Sequence, residues 1–242
     1  MTDHTPLVEC RDVGRTYGSG RTAVVALHGA TCEVFPGDRI ALVGPSGSGK
    51  STLLHVFAGL DTPTTGTISW PGIGELASLR PGPVGVVFQG PSLLPPLDVA
   101  ENVALPLLLS GIDRVTAISA AHAALKRLDL DDLAAKLPEE LSGGQAQRIA
   151  VARVLAGEPR LILADEPTGQ LDHVAGAQVI AVLLDAAAAT GAALVVSTHD
   201  PELAARLTHQ WHMSDGQLQT DRESTASSAG PRRTPEGAAC SA

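Results

Sequence analysis

Between Gly44 and Thr52 the chain reads GPSGSGKST, and Gly44, Gly49, Lys50 and Ser51 fit the pattern G-x-x-x-x-G-K-[ST]. The residue types explain the chemistry. With Pro45, Ser46, Gly47, Ser48 and Thr52 they form a loop whose backbone can curl until several N–H groups face one centre, as phosphate oxygens require. Lys50 would reach the β- and γ-phosphates of a nucleotide, and Ser51 would offer a hydroxyl to Mg²⁺. The flanks agree. The apolar run RIALV (39–43) precedes the loop as a strand, and the amphipathic KSTLLHVFAGL follows as a helix. Strand, glycine loop and helix in that order predict a phosphate-binding α/β core.

Three more short apolar runs, VGVVF (84–88), LILA (161–164) and ALVVS (193–197), read as strands. None alternates, so each is expected to be buried on both faces, as in a parallel sheet. Polar groups follow them: Gln89, the pair Asp165 and Glu166, and His199. Ligands of open α/β sheets lie at the carboxyl ends of strands, so four strands should deliver these groups to one edge. There Asp165 can hold Mg²⁺ through water, and Glu166 can orient or deprotonate an attacking water. Gln89 can touch the metal or that water, and a neutral His199 can bridge to a γ-phosphate.

Elsewhere the chain changes character. Residues 7 to about 35 mix apolar runs with turns and predict antiparallel strands. Residues 98 to about 157 predict a helical insertion, in which VTAISAAHAALKRL places Val115, Ile118, His122, Leu125 and Leu128 at helical spacing and DLDDLAAKL continues the pattern. From 221 to 242 small polar residues, Gly and Pro predict a disordered tail.

Composition excludes some functions. The net charge is −9, and no block of Lys and Arg interrupts the acidic balance, which argues against nucleic-acid binding. Cys10, Cys32 and Cys240 form no CxxC and no zinc-like spacing, so they read as reduced thiols of a cytoplasmic protein. The polar start MTDHTPLVECRDV lacks an apolar signal region. NVALPLLLSG is too short to span a bilayer, and AVLLDAAAATGAALVVS is interrupted by Asp185 and Gly191. A chain without a span of its own can still dock onto a membrane protein.

A second cradle needs explaining. LSGGQAQRIAVARVLAG (141–157) opens like a helix N-terminus, with Ser142 and Gln145 in a capping box around Gly143 and Gly144. By itself this is a capped helix after a turn. Taken with the other motifs, the chain resembles the nucleotide-binding subunit of an ATP-binding cassette (ABC) transporter over residues 7–219. The motifs are a Walker A loop (44–51), a Q-loop (Gln89), the signature LSGGQ (141–145), a Walker B strand with its glutamate (161–166), a D-loop GQLD (169–172) and a switch histidine (His199).

The resemblance implies a P-loop NTPase of the ABC type, α/β in class. Its RecA-like parallel-sheet core would carry an N-terminal antiparallel β subdomain and a helical subdomain, about 98–157, bearing the signature. It implies an ATPase using Mg²⁺, with Glu166 and His199 catalytic and Ser51, Gln89 and Asp165 at the metal. It also answers why there are two cradles. Two copies pack head to tail, and Ser142, Gly143, Gly144 and Gln145 of one close over the ATP held by the other's P-loop, with Asp172 at the seam. Tyr17 matches the aromatic that stacks on adenine, although a strand-end aromatic packed on the core would look the same.

GLDTPTTG, FQGPSLLPPLDVAENVALPLLLSG and LADEPTGQLD are similar to the lipoprotein-releasing and macrolide-efflux branch. That branch implies a homodimer on the inner face of the cell membrane, held there by a separate transmembrane permease with an extracytoplasmic domain. Residues 90–112 read either as the docking surface for that permease or as core. Two departures stand out: the stretch 68–85 is short, and Gln170 replaces the usual Asn. The rival reading is an ABC ATPase outside transport, a switch or scaffold, but no coiled-coil or zinc insertion and no second cassette supports it.

Overall fold

The computed structural model describes residues 5–169 and 171–221. The expected tail therefore lies, apart from Asp221, outside the described residues, as do Gln170 and Cys240.

Two sheets organise the chain. The first is antiparallel, in the order β2–β1–β4, from β1 (Val8–Tyr17), β2 (Val24–Val34) and β4 (Thr65–Ser69). The second has β3 (Arg39–Val43), β5 (Val84–Val87), β6 (Leu161–Asp165), β7 (Ala193–Thr198), β8 (His209–Ser214) and β9 (Gln217–Gln219) in the order β5–β6–β7–β3–β8–β9. All its pairings are parallel except that of β8 with β9. The expected N-terminal antiparallel sheet is present, but β4 joins it from beyond the first helix, α1 (Lys50–Phe57).

The non-alternating runs are buried on both faces, as expected. In β3, Ile40 and Leu42 enter one core while Ala41 enters the other. β6 and β7 divide likewise: Leu161, Leu163, Ala193 and Val195 face one side, and Ile162, Ala164, Leu194 and Val196 the other. The first core is closed by α1 and the antiparallel sheet. Aromatics are few but placed to matter: Phe57 meets Trp211 edge-on at 6.5 Å, and the Trp70 indole donates to the Phe57 carbonyl at 2.8 Å.

The second core lies beneath α2 (Val99–Leu109), α3 (Arg114–Lys126), α4 (Gly143–Leu155), α5 (His173–Thr190) and the short α6 (Pro201–Ala204). α5 is long and apolar enough to cross a membrane by length and composition. In this fold its Val179, Ile180, Leu183, Ala186 and Ala187 belong to the core, and Asp185 is exposed.

The buried stripe of α3 matches the expected one in part: Leu125 and Leu128 are fully buried and Ile118 packs against the core. Ala117, Ala121, Ala124 and Leu125 are buried, whereas Val115 is 81% exposed. Small alanines let α3 approach α2 and α4 closely, so size rather than hydrophobicity selects the inward face. Nor does the helix continue through DLDDLAAKL. The N–H groups of Leu128 and Leu130 both return to the Leu125 carbonyl, Asp129 takes a left-handed φ of 55°, and only one 3₁₀ turn follows at Asp131–Leu133.

The two readings of residues 90–112 apply to different residues. Val99, Ala100, Val103 and Ala104 are core, while Leu94, Leu109 and Ile112 are exposed. Asn102 anchors the segment. It is fully buried, its Oδ1 accepts from the Leu94 N–H at 2.7 Å, and its Nδ2 donates to the carbonyls of Leu94, Leu97 and Asp98 at 3.1, 2.9 and 3.0 Å. Asn102→Ala strands several buried backbone groups and is expected to cost about 2–4 kcal/mol, read as a lower urea midpoint at constant m-value.

Candidate nucleotide site

Sheet order fixes what meets at the carboxyl edge. β5, β6, β7 and β3 are consecutive neighbours, so the residues after them, Gln89, Glu166, His199 and the 44–49 loop, stand in a row. They line an open cleft of about 520 Å³ together with Ser46, Lys50 and Ser51.

The loop is built around its glycines and its lysine. Gly49 is the N-cap of α1 at φ 104°, and a Cβ there would collide with the Ala26 carbonyl oxygen, so only glycine fits. Lys50 is 5% exposed, and its ammonium donates to the carbonyls of Gly44 and Pro45 at 2.8 and 2.9 Å. The Ser48 hydroxyl is buried with no hydrogen-bond partner among the described residues. A helix N-terminus and a cation at one hollow suit an anion with several oxygens, such as a polyphosphate.

On the β6 side the carboxylates are held by a residue the motifs did not single out. Asp165 lies opposite Ser197 in the sheet register, and the Ser197 hydroxyl donates to Asp165 Oδ1 at 2.6 Å. Ser197 Oγ in turn accepts the Glu166 N–H at 2.9 Å, and that N–H also approaches the Ser197 carbonyl at 3.2 Å. These bonds hold Glu166 at φ 43°, a left-handed conformation unusual for a non-glycine residue and commonest at working sites. The Glu166 carboxylate sits between two groups, 3.4 Å from Gln89 Nε2 and 3.7 Å from His199 Nδ1. Asp165, Ser51 and Gln89 supply one carboxylate, one hydroxyl and one amide. That set fits Mg²⁺, which keeps several waters and completes its shell with phosphate oxygens.

Tyr17 stands apart from the cleft lining and from both cores and is 40% exposed. Its hydroxyl donates to Asp61 Oδ2 at 2.6 Å, the Arg15 guanidinium lies 4.6 Å from its ring centre, and Arg15 pairs with Asp61 at 2.7 Å. Burial alone would raise the Asp61 carboxyl. The Tyr17 hydroxyl, the Thr62 N–H and Arg15 outweigh it and hold that carboxyl below the ordinary range. The ring is therefore fixed by its hydroxyl rather than packed inside.

The second cradle also stands outside the cleft. Ser142 and Gln145 form the expected reciprocal box: the Gln145 N–H reaches Ser142 Oγ at 3.2 Å, and the Ser142 N–H reaches Gln145 Oε1 at 2.9 Å. Gly144 lies against Leu171, where a Cβ would approach to 3.3 Å. None of residues 142–145 lines the 520 Å³ cleft. Asp172 caps α5 by accepting the Ala175 N–H at 2.8 Å and lines a neighbouring hollow of about 320 Å³ with Glu166 and His199.

Comparison with known proteins agrees with this geometry. A profile of the ABC transporter family matches residues 27–169. The chain belongs to the ABC transporter family. It is 41% identical over 220 residues to the lipoprotein-releasing system ATP-binding protein LolD of Shewanella frigidimarina, covering 88% of this chain and 92% of the relative. LolD of Pseudomonas fluorescens is 40% identical over 219 residues, covering 88% and 96%. Among solved structures, the ATP-binding cassette MJ0796, in a dimeric post-hydrolysis state bound to ADP and Pi, superposes with a TM-score of 0.81 at 33% identity, covering 88% of this chain and 98% of that one. CbiO1 of Clostridium perfringens, part of the transporter complex CbiONQ, gives 0.77 at 25% identity, covering 93% and 92%. The protein is thus the ATP-binding and ATP-hydrolysing subunit of an ABC transporter, with the α/β cassette fold expected from its motifs.

Motif reading of this ABC ATPase missed three supporting residues. Ser197 is one, and it was visible only as a polar residue ending an otherwise apolar strand. Asp61, which fixes Tyr17, has no sequence signal at its separation of 44 residues. The third is Gln147, buried on α4, whose Nε2 donates to the Phe88 carbonyl at 3.0 Å. It ties the signature helix to the residue before Gln89.

Proposed function

We propose that this subunit closes head to tail with a second copy around ATP and Mg²⁺, and that hydrolysis reopens the pair to drive a membrane permease. One observation carries the reading. The P-loop, Gln89, Glu166 and His199 line one cleft, while the Ser142–Gln145 cradle is a complete capping box and lies outside that lining. A second copy supplies what each cleft lacks, and a two-fold pair satisfies both at once.

In this reading Lys50, the 44–52 backbone and Ser48 hold the phosphates, and Tyr17 stacks on the base. Ser51, Gln89 and Asp165 would hold Mg²⁺, which would supply neutralisation of phosphate charge. Glu166 accepts the proton of the attacking water. Gln89 and His199, on either side of its carboxylate, orient that water and the γ-phosphate. Ser142, Gly143, Gly144 and Gln145 meet the γ-phosphate of the partner's nucleotide, and Asp172 lies at the seam. The γ-phosphate contact gives the closed state its higher affinity for ATP, which is what shifts the equilibrium.

The cassette spans 7–219, with 98–157 as its helical subdomain. The permease docks in the groove beside α2, a hollow of about 510 Å³ with an apolar lining between the β5 edge, α2 and α4. Similarity to LolD supports release of lipid-anchored proteins as the task, with the subunit on the cytoplasmic face and the force passed to an extracytoplasmic part of the permease. To test the coupling, the tagged chain is isolated from detergent-solubilised membranes of its host. A polytopic membrane subunit should copurify, and its reconstitution into vesicles should change the ATPase rate. A chain recovered alone, with turnover indifferent to membranes, would favour the scaffold or switch.

A further inference from the structure

The groove beside α2 carries a charge pattern that narrows what can enter it; this inference rests on the docking reading above. Its lining contains two arginines, Arg80 and Arg153, and no aspartate or glutamate, in a chain with 26 acidic and 17 basic residues. Neither guanidinium has a carboxylate within ion-pair distance among the described residues. Among the described residues Arg153 bonds to Ser92, through its carbonyl at 2.7 Å and its hydroxyl at 2.6 Å. Arg80 reaches the Gly59 carbonyl at 3.3 Å, and its Nε is buried with no partner among the described residues. Both side chains are half-buried, and burial holds both guanidiniums below the ordinary arginine range. A desolvated cation without a counter-charge is costly, and a carboxylate is the group whose geometry matches it.

The apolar wall beside them is exposed. Leu109 is 70% exposed at the end of α2. The wall bearing Arg80, Pro81 and Gly82 comes from the short 68–85 connection, so the departure noted in the sequence shapes this surface.

From these contacts we infer that the groove receives a membrane-subunit segment with an apolar face and one acidic side chain, whose carboxylate pairs with Arg80 and Arg153. Arg80 is then the specificity-determining residue of the docking site, through charge complementarity rather than apolar area.

The test compares copurification of the membrane subunit from solubilised membranes by wild type, Arg80→Gln, Arg80→Lys and Leu109→Asp. Basal ATPase and thermal midpoint of each variant serve as folding checks. Arg80→Gln is expected to lose roughly thirty-fold or more in partner recovery, with Arg80→Lys largely restoring it. Leu109→Asp places a carboxylate by the arginines and should lose the partner as well. In the Arg80→Lys complex, a carbodiimide should join the new amine to an Asp or Glu of the membrane subunit, read by mass spectrometry. If Leu109→Asp loses the partner while Arg80→Gln keeps it, the groove is used but the acidic anchor is wrong. A cross-link to no partner carboxylate would equally overturn the anchor. If wild type brings down no membrane subunit, the docking reading itself fails.

Discussion

Glu166→Gln is expected to lower ATP turnover by about a thousandfold while leaving ATP affinity within a few-fold of wild type. The substitution keeps size and hydrogen-bonding shape but removes the proton acceptor, and general-base catalysis is worth about 10²–10⁴ in rate. The local structure favours a clean result. Glu166 is positioned through its backbone N–H, by the Ser197 hydroxyl and carbonyl, and neither bond involves its carboxylate. Steady-state phosphate release against nucleotide binding by calorimetry separates the two effects. A fall in affinity equal to the fall in rate would mean that Glu166 binds rather than catalyses.

Lys50→Ala should have the converse signature, with ATP affinity falling by about a hundredfold or more. The ammonium bonds to the Gly44 and Pro45 carbonyls, so it shapes the loop as well as meeting phosphate. For wild type, ATP at a hundred times its dissociation constant stabilises by about 2.7 kcal/mol, which for a domain of this size raises Tm by roughly 5–10 °C. In Lys50→Ala that rise should vanish, over a nucleotide-free Tm lowered by loss of the two loop hydrogen bonds. A retained ligand-induced rise would show that the phosphates sit elsewhere.

Much of this site was legible because its chemistry is local. GPSGSGKST needs only its own backbone and flanking elements. Gln89, Asp165, Glu166 and His199 were found because each follows a strand end, and a parallel sheet gathers strand ends at one edge. What could not be read depends on pairing across the chain. The Ser197–Asp165 bond follows from the parallel register of β6 and β7, and the Tyr17–Asp61 bond from how β1 lies beside the α1 exit. On α3, Ile118, Leu125 and Leu128 turn inward as read, but Val115 does not, and the buried alanines were passed over because an apolar pattern does not weigh the close approach that they permit. In residues 90–112 the first half of α2 is core, while Leu94 before it, Leu109 at its end and Ile112 after it are exposed, so a single label for the segment could not hold.

The central claim is that the 142–145 cradle acts on a second copy's nucleotide. The most direct measurement is the solution mass of Glu166→Gln with and without ATP–Mg²⁺, repeated with Ser142→Arg added. The account predicts a monomer without nucleotide, a dimer with ATP, and a return to monomer when Ser142→Arg fills the cradle although ATP still binds. A protein that binds ATP and stays monomeric, or a dimer indifferent to Ser142→Arg, would contradict it.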